Sequence, residues 1–137
     1  MYNARPAAYR ETEVMSSTPE RLIPLMYEKL LVSLKRGAMC IRNRDYEAKS
    51  ENVQMALDII YELMASLDFE QGGEIATHLS GLYAFWAKEI SQAAGALHPE
   101  RLVRVADMVG ELHESWVEAV RLVESGEALG GTPGGTA

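Results

Sequence analysis

The side chains of this 137-residue chain that could do chemistry are three histidines, one cysteine and a surplus of carboxylates, and their spacing decides what they can do. A di-iron centre in a helical bundle needs a Glu three residues before a His on each of two helices. The residues three before His78, His98 and His113 are Ile75, Gly95 and Gly110, so the pattern is missing. Glu74 and His78 stand one helical turn apart and could share a metal, but zinc takes three or four ligands and no second cluster accompanies them. Cys40 has no His or Asn constellation beside it in the sequence and reads as a small packed side chain. Gly72-Gly73 lacks the strand before it and the Lys-Ser/Thr after it that a phosphate cradle requires. Glu11/Glu13 and Glu111/Glu114 read as solvated faces. The residues point to no enzyme, no cofactor and no metal.

The remaining function classes are narrowed by charge. The formal net charge is −7, so phosphates would be repelled rather than gathered, which argues against nucleic acid and anionic lipid as partners. A single cysteine excludes an intrachain disulfide and fits a reducing cytoplasm. The first residues hold no uninterrupted apolar run, and nowhere do about 18 consecutive apolar residues occur. The expectation is a cytoplasmic chain with no membrane insertion.

The elements that must position any site are helical. Two Phe and no alternating β-branched runs argue against a sheet. A first helix opens with Thr18 as N-cap and Pro19 at its first position, and Leu22, Met26, Leu30, Leu34, Ala38 and Ile41 keep helical spacing to Asn43. Pro24 lacks the N–H that would bond the Glu20 carbonyl, which predicts a kink or a 3₁₀ first turn. Asp45 or Asn43 caps a second helix ending near Leu67. Its apolar face is Val53, Ala56, Leu57, Ile60, Met64 and Leu67, while Ile59 and Met55 fall well round the cylinder, with Leu63 between. That leaves an apolar wing wider than one packing seam requires. Asp68 to Glu74 breaks the chain at Gly72-Gly73. A third helix runs from about Gly73 to Ala94 with Ile75, Leu79, Leu82, Trp86, Ile90 and Ala93 inward, and with Gly81 permitting close approach of a neighbour. Gly95 ends it, and Pro99 opens a fourth carrying Leu102, Val105, Val109, Leu112, Trp116, Ala119 and Val123.

Short connections make consecutive helices antiparallel neighbours, so the fold class is all-α: an up-down-up-down four-helix bundle over residues 18–125. Residues 1–17 form an N-terminal arm, and residues 126–137, dominated by glycine, a disordered C-terminal tail. Residues 18–43 carry five Lys/Arg against two Asp/Glu, and residues 44–68 two against six, so the first two helices attract each other.

The stretch from Ser50 to Trp86 resembles the signature of the FliS family of flagellar secretion chaperones, which hold flagellin before export. Asn52, Ala56, Ile59-Ile60, Glu62-Leu63, Leu67-Asp68, Gly72 to Ala76, Leu79 and Leu82-Tyr83 match it in order and spacing. Tyr9, Val14, Thr18-Pro19, Leu22, Tyr27 and Trp116 extend the likeness to about residues 2–124. Pro24, Lys29, Met55 and Leu57 depart from the family pattern, the last two making the expected groove more apolar.

The resemblance implies capture of the disordered C-terminal segment of flagellin, protection from early polymerisation, and delivery to the flagellar export gate. The expected client-facing residues are Asn52, Met55, Ile59 and Glu62 on the second helix and Tyr83 and Phe85 on the third. Asn52 would hydrogen-bond client backbone, and Met55 and Ile59 would supply adaptable apolar contact. A charge at Ile59 is expected to weaken client binding with the bundle still folded. Tyr2 and Tyr9 would anchor the arm over part of the groove. The alternative is a structural helical-bundle dimerisation protein, a homodimer in which the same wing packs against a second copy.

Overall fold

A computed structural model describes residues 19–126 of the chain, and the arm with Tyr2 and Tyr9, the cap Thr18 and the tail beyond Gly126 lie outside those residues. Four helices follow in order: α1 Pro19–Arg42, α2 Tyr46–Ala65, α3 Phe69–Gly95 and α4 Pro99–Ser125. Each packs on its chain neighbours, and α1 closes the ring against α4. Arg21 near the start of α1 pairs with Glu124 at the end of α4, and Gly37 near the end of α1 lies against Leu102 near the start of α4. Those two helices are therefore antiparallel, as an up-down-up-down bundle requires. No strand occurs among the described residues.

The caps follow local chemistry. Asp45 opens α2 by accepting from the Ala48 N–H at 3.2 Å, and Asp68 opens α3 by accepting from the Gln71 N–H at 3.1 Å. Each satisfies one of the amides that the first helical turn leaves without a partner. Pro19 stands at the first position of α1 and Pro99 at that of α4.

Of the kink or 3₁₀ first turn that the context of Pro24 predicts, the 3₁₀ turn does not form. α1 is α-helical from Pro19 to Arg42 with Pro24 inside it and buried. The carbonyl it leaves without a partner belongs to Glu20, one residue into the helix, so only a terminal bond is forfeited. The break before α3 is also narrower than expected. Helix geometry resumes at Phe69 and fails again only at Gly73, where φ is 52° and ψ −124°.

That interruption resets the register of α3. Ala76 becomes buried and Ile75 is left 68% exposed, against the inward position its spacing suggests. Gly81 is not a close-approach site either, because a Cβ there would meet nothing within 4 Å. Close approach occurs instead at Gly37 on α1, where a Cβ would lie 3.6 Å from both Leu102 and Val53.

The core is continuous through the bundle. Leu30, Leu34 and Ala38 of α1 meet Ala56, Ile60 and Leu63 of α2, Trp86 and Ile90 of α3, and Leu102, Val105 and Val109 of α4. Burying each large side chain contributes about 1.5–3 kcal/mol before conformational entropy is subtracted. At one level an aromatic cluster spans the section. Tyr27 packs edge-on to Tyr83, Trp86 and Trp116 with ring centroids 6.2–6.4 Å apart. The last turns of α4 outrun the core, and Val117 and Val123 are 45% and 42% exposed.

Candidate functional site

Two open depressions are lined by described residues. The first lies between α1 and α2, has a volume of about 310 Å³, and is lined by Glu28, Lys29, Val32, Ser33 and Arg36 from α1 and Asn52 and Met55 from α2. The antiparallel packing of α1 on α2 sets these side chains opposite one another. Its α1 wall mixes charged and polar residues with the apolar Val32 because that wall is the edge of a helix whose opposite face is core. Met55 is 53% exposed and Val32 45%, so flexible and branched apolar surface both remain open to solvent.

The polar groups of this groove are partly committed. The Asn52 side-chain amide donates to the Ala48 carbonyl at 2.9 Å and approaches the Cys40 sulfur at 4.0 Å, leaving its own oxygen as the acceptor. Glu28 turns toward α4, where a carboxylate oxygen lies 3.5 Å from Nε2 of His113. Ser33 is the buried polar residue of the wall, 4% exposed.

The second depression, about 220 Å³, lies near the connection between α2 and α3. Ile23, Leu67, Ile75, Leu79, Tyr83 and Trp116 supply most of its apolar lining. Tyr83 forms part of its floor while remaining 1% exposed. Its hydroxyl lies 2.7 Å from that of Tyr27. Burial, with the Tyr27 hydroxyl as a second cause, pushes the Tyr83 phenol far above its ordinary range, and burial also raises Tyr27. The two hydroxyls are buried and partner each other, so the pair is structural.

The residues singled out in the sequence are dispersed. Asn52 and Met55 share the first groove. Ile59 is 8% exposed and belongs to the core, as does Leu63, so the wing is narrower than the sequence suggests and its inner edge is already packed. Glu62 is exposed on α2, and Phe85 is 48% exposed on α3 but lines neither depression. Leu57 is half-buried against the core, so of the two departures expected to make the groove apolar only Met55 lines it.

The α1 wall was not legible as part of a site. Reading α1 by its core series passes over Val32 and Met39, which stand seven apart and off that series, 45% and 60% exposed. That spacing is the signal that could have exposed the wall, because residues seven apart share a helical face.

Among the described residues no group of three His, Cys, Asp or Glu is placed to hold a metal, and no helix is long and apolar enough to cross a membrane. A closed helical bundle with an open, partly apolar groove between two of its helices offers a surface for another polypeptide, in the manner of a groove that receives a helix. The class is a polypeptide-binding helical bundle. The chain belongs to the FliS family of flagellar secretion chaperones: the family described as flagellar protein FliS matches residues 1–123. It is 34% identical over 111 residues to the flagellar secretion chaperone FliS of Campylobacter jejuni, covering 81% of this chain and 87% of that one. The Salmonella typhimurium chaperone of the same name is 34% identical over 107 residues, 77% of this chain and 79% of its own. That of Bacillus subtilis is 27% identical over 114 residues, 83% and 84% of the two chains. Proteins of this family are not enzymes.

Proposed function

We propose that this chain binds the C-terminal segment of flagellin in the cytoplasm, keeps it from polymerising early and presents it to the flagellar export gate. The observation that carries the reading is the α1–α2 groove, where the exposed Met55 and the half-buried Asn52, which matches the family signature, stand beside the exposed Val32. A disordered client segment folds onto such a groove as an amphipathic helix, placing apolar side chains against Met55 and Val32. The Asn52 side-chain oxygen accepts from a client donor at the groove edge. Glu62 and Phe85, exposed beyond the groove, extend the contact along α2 and α3 as the client wraps the bundle.

Ordering the client on binding consumes part of the gross contact energy, so the complex releases its cargo without ATP. Calorimetric titration of the full chain with a peptide of the flagellin C-terminal segment tests this reading. The expected result is one-to-one binding with a negative heat-capacity change, and light scattering showing a monomer before and a one-to-one complex after. No heat of binding together with a peptide-indifferent dimer would overturn it.

A further inference from the structure

Arg36 lines the α1–α2 groove and has no hydrogen bond or ion pair with any described residue. The stretch of chain that carries it is basic. From residue 29 to residue 44 the chain carries Lys29, Lys35, Arg36, Arg42 and Arg44 and no Asp or Glu, in a molecule whose net charge is −7. The nearest acid of the same wall, Glu28, faces His113 on α4. The other wall differs: α2 contributes Asn52 and Met55, neither of them charged. The groove thus presents, beside the apolar Val32 and Met55, a guanidinium with no ion-pair partner among the described residues.

We infer that Arg36 selects client segments by charge, taking a carboxylate that flanks the apolar stripe of the docked helix. The inference rests on the binding function proposed above and adds the chemistry of the client: an amphipathic helix with an Asp or Glu on the edge lying against α1. A guanidinium suits this role because it stays charged, forks onto both carboxylate oxygens and is weakly hydrated. Val32 and Met55 exclude water from one side of the pair once the client is seated, which strengthens it relative to an open surface pair. The α2 wall, Asn52 and Met55, offers the same carboxylate no cation on the opposite edge, so the charge also favours one way round for the helix.

The test uses the full chain with a peptide of the flagellin C-terminal segment, comparing wild type, Arg36→Gln, Arg36→Glu and Met55→Asp at low and high ionic strength. At low salt Arg36→Gln is expected to weaken binding about threefold and Arg36→Glu about tenfold, both differences shrinking as salt rises. Met55→Asp weakens binding at every salt concentration. Replacing the client's flanking carboxylate by its amide should weaken wild type and leave Arg36→Gln unaffected. Equal low-salt affinities for wild type and Arg36→Glu, with Met55→Asp still impaired, would overturn the charge inference and leave the groove standing. Failure of wild type itself to bind would remove the underlying function instead. Arg36 is exposed, so circular dichroism of its variants should match wild type.

Discussion

The hydroxyl of Tyr27 on α1 and that of Tyr83 on α3 lie 2.7 Å apart inside the bundle, joining two helices that are not neighbours in the chain. One hydroxyl donates and the other accepts, and both residues are buried. Tyr83→Phe leaves the Tyr27 hydroxyl buried without that partner, at a cost of about 1–2 kcal/mol. The double variant Tyr27→Phe/Tyr83→Phe removes both polar groups and should be no less stable than the single one, a non-additivity that urea titrations of the four proteins would reveal. Additive losses would show that the two hydroxyls are not coupled.

Met55 and Ile59 stand one turn apart on α2 and should respond oppositely to the same change. Met55→Asp puts a carboxylate on an exposed position, so unfolding free energy should stay within about 0.5 kcal/mol of wild type while affinity for the flagellin segment falls about tenfold. Ile59→Asp buries a carboxylate in the core and should destabilise by about 3 kcal/mol or more, which removes it as a clean probe of binding. Thermal denaturation paired with calorimetric titration separates the two effects. A stable Ile59→Asp with weakened binding would return Ile59 to the groove.

Two of the positive-φ positions carry opposite kinds of residue. Gly73 at φ 52° and ψ −124° interrupts α3 in a region that side chains avoid, so Gly73→Ala should cost about 1–3 kcal/mol although its Cβ would meet nothing. Leu97 adopts φ 55° between α3 and α4 and is 42% exposed. Leu97→Gly should therefore relieve strain and stabilise by up to about 1 kcal/mol after the entropy of glycine is charged against it. Denaturant midpoints of the two variants moving in opposite directions are the expected outcome.

Arg101 grips Glu89 across the α3–α4 corner, donating from Nε at 2.7 Å and from Nη2 at 2.9 Å to the two carboxylate oxygens. The hydrogen bonds from Arg101 are the main reason that the Glu89 carboxyl lies below its ordinary value of 4.5. A carboxyl depressed in the folded state contributes its stability above the unfolded value and loses it as pH falls through the folded one. Wild type should thus lose more stability than Arg101→Gln on acidification below about pH 4.5, read from urea midpoints across the acid range. Parallel pH profiles would show that the pair is not coupled to folding.

Much of the fold was legible along the chain. The series Leu30, Leu34, Ala38 and Leu102, Val105, Val109 repeats at three and four, Pro19 and Pro99 open helices, and Asp45 caps one. Each of these is a short-range property, because a helix closes its hydrogen bonds within four residues and shows one face at a fixed period. The order of residues from Asn52 to Tyr83 likewise carried the family, since packing and turn positions recur at fixed spacing.

What tertiary packing alone decided was which side of each helix stays open. Ile59 and Met55 are both apolar and both off the central core series, yet one is sealed and the other exposed, because the neighbouring helices cover α2 only part of the way round. The same holds for Gly37 and Gly81: a glycine announces freedom of the backbone, and only the neighbouring helix determines whether that space is used. The α1 wall of the groove, with Val32 and Arg36, exists only once α2 is laid beside it. Periodicity gives a face to each helix separately, whereas a groove is a relation between two of them.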